Sequence, residues 1–182
     1  MSDVISVLPT AAAAPATVLH APQAQTAHLA DDTWTWLTEE AATELLQGPQ
    51  PSVVSVAQWL ANADDWQRQG RRRGVRLAAG EIPEALAGRL EGLSLIAVEF
   101  AAFADGRGFS VARYLRQRLH WEGELRAVGD VLVDTVNYLA RCGFDSFQLK
   151  PGHDPRDALR QLRWFPQPYQ RGYRPLATTE AA

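Results

Sequence analysis

The chain has 182 residues, 46% of them apolar, which is about one domain's worth with a core of ordinary size. A formal net charge of −3 gives no reason to expect nucleic acid. No apolar run approaches the roughly 20 residues of a membrane span, and the single cysteine, Cys142, excludes an intrachain disulfide and a cysteine-ligated cluster. Charge is uneven: eight acids and no base precede Arg68, and the eighteen bases and remaining thirteen acids follow. That later part is mildly basic, which suits a small anion or an acidic protein surface. Seventeen of the bases are Arg and one is Lys150, so the Arg71-Arg72-Arg73 run reflects composition and reads as a solvated loop. Without a basic signal region or an Arg-bearing presequence at the N-terminus, the protein is expected in the cytoplasm.

Residues 1–30, rich in Ala with Pro9, Pro15 and Pro22, read as a disordered tail. Residues 31–52 read as a flap or linker. In it Trp34 and Trp36 alternate with Thr, as a short strand or a flap packed on the main domain would, before the break at Gly48-Pro49-Gln50-Pro51. Residues 53–166 form the α/β domain. Val53–Val56 predicts a first strand and Ala57–Gln69 a helix anchored by Trp59, Leu60 and Trp66. Val75–Ala78 predicts a second strand. Pro83 opens a helix with Ala85, Leu86 and Leu90 as its apolar face and Gly92 at its end. The apolar run Leu93–Glu99 is the next strand, followed by the loop Asp105-Gly106-Arg107-Gly108. A helix then spans Ser110–Leu119, with Val111, Ala112, Leu115 and Leu119 inward and Arg113, Arg116 and Gln117 outward.

Leu125–Val128 is another strand, and Asp130 is placed to N-cap a helix whose core stripe is Leu132, Val136, Leu139 and Ala140. Gly143 closes that helix in the left-handed conformation. Phe144–Leu149 is the last strand, and Asp154-Pro155 opens a helix with Ala158, Leu159, Leu162 and Phe165. Residues 167–182 are an irregular tail. Up to five strand–helix units imply a mainly parallel sheet of four or five strands flanked by helices. The sheet is either flavodoxin-like and doubly wound or half of a (βα)8 barrel; a count of five in a short chain favours the open sheet.

Ligands of parallel α/β sheets bind at the carboxyl ends of the strands. That rule singles out Glu99, then Asp105, Gly106, Arg107 and Gly108, then Gly129 and Asp130, with Lys150 and His153 after the last strand. Arg126 and Asp134 complete the candidate set. The glycine loop enters a helix N-terminus, whose free N–H groups favour an anion such as phosphate, sulfate or sulfite, with Arg107 adding a charged fork. Its structural reading is a turn whose glycines supply positive φ, with Arg107 paired to Asp105 or Glu99. Asp130, Asp134, Asn137 and Arg141 would share one helix face. Such carboxylates share a proton or bind a metal, or, as is commoner, form a solvated stripe. Cys142, at a helix end, reads as a small buried group. No cofactor or metal motif is evident, and a flavin or nucleotide is left open.

The segments Ile96 to Phe100, Asp105 to Ser110, Gly123 to Leu132 and Arg141 to Asp145 carry a resemblance, along with Phe103, Ala112-Arg113, Leu115-Arg116, Arg118, Asp134, Leu139 and Phe147. Together they resemble a bacterial family of uncharacterised proteins that carries the label of an oxidoreductase involved in sulfite reduction. The resemblance spans roughly Gly74 to Phe147, with Thr135 and Val136 standing where the family usually has Gln and Leu. It implies an accessory protein of assimilatory sulfate and sulfite reduction acting with sulfite reductase or a neighbouring enzyme of that process. It brings no assigned catalytic residues. The alternative is an oxidoreductase or an enzyme binding an anion or nucleotide around Asp105–Gly108.

Overall fold

The structure, a computed structural model, describes residues 17–21, 26–38, 48 and 50–164. Thr17–His20 (β1), His28–Asp31 (β2), Thr35–Trp36 (β3) and Ser52–Ser55 (β4) precede the helix Val56–Arg68 (α1). Arg73–Leu77 (β5), Leu93–Phe100 (β6), Arg107–Gln117 (α2) and Glu124–Gly129 (β7) follow. Val136–Cys142 (α3), Ser146–Phe147 (β8) and Pro155–Trp164 (α4) complete the described elements. All eight strands join one sheet in the order β2-β1-β8-β7-β6-β5-β4-β3. Neighbours from β3 to β8 are parallel, and β1 is antiparallel to both β8 and β2.

From β3 to β8 the spatial order follows the chain order, so every connection advances the same way around the sheet. A doubly wound sheet must reverse direction at a switch point, and this one does not. The architecture is a curled half-barrel flanked by helices, which corrects the preference for an open flavodoxin-like sheet. The strand count is also larger than the expected four or five. The extra strands include β1 and β2, which lie, apart from Asp31, in residues read as a disordered tail; β1 pairs Leu19 with Phe147 and His20 with Ser146.

Connectivity explains the curl. Laid flat, the two edge strands β2 and β3 would stand seven spacings apart, roughly 34 Å at about 4.8 Å each. Yet Asp31 ends β2 and Thr35 begins β3, four virtual bonds that span at most about 15 Å. The sheet must bend until its edges approach, and residues 32–34 cross its concave side. There Trp34, 6% exposed, packs with Val53 and Leu95, and Trp36 lies against the group. Arg72 sits over the Trp34 ring at 5.1 Å.

The main core lies on the convex side, under the helices. Alternate strand residues Val54, Val75, Ile96, Val98 and Leu125 meet Trp59 and Trp66 of α1, Ala112 and Leu115 of α2, Leu139 of α3 and Leu162 of α4. Right-handed crossovers that all advance one way put every helix on that face. A capping box starts α1: Gln58 N–H donates to Ser55 Oγ at 3.2 Å, and Ser55 N–H donates to Gln58 Oε1 at 3.0 Å. Gly143 ends α3 with φ 108°, as its position suggests.

Five local expectations need correction. Arg73, read as part of a solvated loop, is buried in β5 and donates to Ser52 Oγ at 3.0 Å, and Leu60, expected to anchor α1, is exposed. Pro83–Leu86 is a single 3-10 turn rather than a helix running to Gly92. Asp130 does not cap a helix: α3 starts at Val136, after a 3-10 turn over Val133–Thr135. Arg116, assigned to an outward face, is buried. Its guanidinium donates to the carbonyls of Gly143 and Gly123, at 3.0 and 2.9 Å, to the Trp121 carbonyl, and to the Asp145 carboxylate. Phe165 and the tail 167–182 lie outside the described residues.

Trp34→Ala should lower stability by about 3 kcal/mol in urea unfolding; a loss under about 1 kcal/mol would mean the crossing segment is not part of a core. His20, stacked on His28 and 3.9 Å from Glu124, is held below the ordinary histidine value by burial. The unfolded chain therefore binds the proton more readily. Stability should fall as pH drops through about 6.5 towards the folded value, and His20→Gln should flatten that slope.

Candidate functional site

The carboxyl ends of β5 and β6 open into a cleft of about 350 Å³. One wall is the loop 78–84 after β5, the floor is Leu77, Val98 and Glu99, and the opposite wall is the first turns of α2, down to Tyr114. Parallel strands with helices on one side leave their C-terminal loops free to diverge, which is why the cleft forms at this rim.

Four of the expected residues meet here: Glu99, Asp105, Arg107 and Gly108. Glu99 accepts from Arg76 Nη1 at 3.2 Å, and both side chains are largely buried. Asp105 grips Arg107 with both oxygens, Nε at 2.9 Å and Nη2 at 2.6 Å, and also accepts the Arg107 backbone N–H at 3.1 Å. The side-chain bonds first, and then the backbone N–H, hold the Asp105 carboxyl down at about 2. The anion at this helix N-terminus is thus Asp105 itself, and Arg107 is its partner. Between the two pairings the sequence left open, the one with Asp105 is formed.

The glycines of the loop have a different task from supplying positive φ. Gly106 sits at φ −77° with open space where a Cβ would go. At Gly108 a Cβ would lie 2.5 Å from the Phe100 ring, so its bare backbone lets α2 settle on the end of β6. Gly129 turns at φ +88° against the Phe100 carbonyl, which accepts the Asp130 N–H at 2.8 Å.

Asp130 stands on the same rim but outside the cleft. Its carboxylate takes the Phe103 N–H at 2.7 Å and lies 2.6 Å from Lys150 Nζ. The Lys150 ammonium chiefly, and Phe103 second, hold it below the usual carboxylate range. Two candidates lie elsewhere. Arg126 is inside the half-barrel, bonded to Asp32, Glu124 and Ser146. Asp134 is exposed and accepts from Gln161 of α4 at 3.4 Å. Cys142 is buried, and burial pushes its thiol up. Among the described residues no group of three or more His, Cys, Asp or Glu is arranged to hold a metal, and no helix is long and apolar enough to cross a membrane.

Sequence reasoning missed the wall after β5: Gly80, Glu81, Ile82 and Glu84. The signals were an Ala-Gly turn after a strand, with φ +96° at Gly80, and Ile82, which is 66% exposed beside buried Pro83.

Gly108→Ala should cost about 2 kcal/mol through forced movement of Phe100, whereas Gly106→Ala should stay within about 0.5 kcal/mol of the parent. Urea denaturation of the two variants checks this; equal losses would contradict the close-approach account.

A search of curated proteins finds no match. A family model described as bacterial protein of unknown function (DUF934) matches residues 74–178. The match starts where the resemblance in the sequence starts and runs past Phe147 into the segment after α4. It covers more than half of the chain, and the chain belongs to this family of bacterial proteins of unknown function.

Proposed function

We propose that the protein is an accessory of assimilatory sulfite reduction that docks on a partner protein through the strand-end cleft. The process follows from the resemblance. The docking rests on one observation: carboxylates outnumber cations in the cleft, and its one arginine is already engaged. Glu81, Glu84, Glu99 and Asp105 line it together with Arg107, which Asp105 holds, and Arg76 pairs with Glu99, so Glu81 and Glu84 carry the excess charge. A sulfite or phosphate group seated there would meet uncompensated negative charge. Some of the residues that carry the resemblance, among them Glu99, Asp105, Arg107, Gly108 and Ser110, line this cleft, which supports the reading.

Tagged full-length protein should recover sulfite reductase from extract at low salt. A deletion strain should grow poorly on sulfate and normally on sulfide. Normal growth on sulfate together with no recovery would end the proposal. The second reading, an enzyme binding an anion, flavin or nucleotide, predicts a rise of several degrees in Tm with sulfite, phosphate or FMN that Arg107→Ala abolishes. Docking predicts no such rise.

A further inference from the structure

We infer that the cleft receives a Lys- or Arg-bearing, apolar-flanked segment of the partner protein; this rests on the docking reading and specifies the chemistry of the docked segment. The apolar part of the argument is the lining. Leu77 and Val98 form a buried floor, half-buried Val111 and Tyr114 stand on the α2 side, and Ile82 is 66% exposed on the facing lip. A large aliphatic side chain held open to water beside an apolar floor is surface that a partner's apolar side chain would cover. The volume, about 350 Å³, is at the lower end for small-molecule pockets and suits the side chains of a short segment.

The charged part is the lip itself. Glu99 is neutralised by Arg76, and Asp105 by Arg107. That leaves Glu81 and Glu84, both exposed and flanking Ile82. Among the described residues Glu81 accepts the Ala78 N–H, at 2.6 Å, and neither Glu81 nor Glu84 has a basic partner. A Lys or Arg answers both features at once, since its methylene stem lies along apolar surface while its head reaches the carboxylates. An acidic segment would add charge to an already negative lip.

The test uses the full chain with p-benzoylphenylalanine placed at Ser110, an exposed residue of the opposite wall, to map the segment in the captured partner. Affinity is then measured for the parent chain and for Glu84→Arg. The inference predicts that the cross-linked segment carries Lys or Arg, that Glu84→Arg binds at least tenfold more weakly, and that Glu in place of the mapped basic residue restores binding to Glu84→Arg. Sulfite reductase bound equally by both chains would overturn the cleft assignment and leave the docking process standing. A different partner that obeys the charge swap would support the cleft chemistry and remove sulfite reductase as its owner. Cross-links to residues 166–182 of the same chain, or to a second copy, would overturn the partner segment as occupant. If no partner is captured at all, both readings fall.

Discussion

The ion pair between Arg126 and Asp32 holds the architecture together. Both side chains are almost fully buried, 1% and 4% exposed, with Nη1 2.8 Å from Oδ1. A guanidinium withdrawn from water costs several kcal/mol unless its donors are met. Glu124 and Ser146 meet part of that demand from the sheet itself. The rest must come from Asp32, which belongs to the three residues that join one edge of the sheet to the other. The same carboxylate receives the Trp34 N–H at 3.2 Å and the Trp36 indole N–H at 2.8 Å. One buried carboxylate therefore fixes the path of the crossing segment, the placement of both tryptophans and the closeness of the sheet edges.

The curl has consequences at the rim. Because the connections from β3 to β8 all advance one way, the described helices cover the convex face, and the loops after β5, β6 and β7 lie side by side. The polar residues divide into two groups with separate tasks. Those inside the half-barrel, Arg126, Asp32 and Glu124, satisfy one another and hold the sheet. Those at the strand ends form short local pairs, Arg76 with Glu99, Asp105 with Arg107 and Lys150 with Asp130, which leave acidic groups of the β5 loop facing solvent. Asp105 settles the electrostatics of the α2 N-terminus by occupying the place an external anion would take.

Much of the parallel sheet was legible in the sequence because its signals are local. Val53, Val54, Ile96 and Val98 are β-branched, the run Leu93–Phe100 is mostly apolar, and the helix of Trp59 and Trp66 keeps a helical spacing. The direction of winding was not legible, since a half-barrel and a doubly wound sheet share the same alternation of strand and helix and differ only in spatial order. Thr17–His20 was lost among Ala and Pro because a four-residue strand owes its existence to β8 and β2, not to its own propensity. Arg116 looked like surface because its acceptors are mostly carbonyls assembled by the tertiary fold. Glycine spacing located the rim at Asp105–Gly108, yet it could not distinguish positive φ from a close approach. Glu99, Arg107 and Gly108 meet as the strand-end rule implied. Arg126 and Asp134, named with them, lie apart: Arg126 pairs in register with Ala97, deeper along the strands inside the half-barrel, and Asp134 sits in a 3-10 turn beside α4.

A double-mutant cycle of Asp32→Ala and Arg126→Met, followed by urea unfolding, tests the central claim most directly. Two buried groups in direct contact should show a coupling energy of about 1.5 kcal/mol or more. Losses that add to within about 0.3 kcal/mol would mean that the crossing segment is not anchored by this pair, and the explanation given for the curled sheet would be wrong.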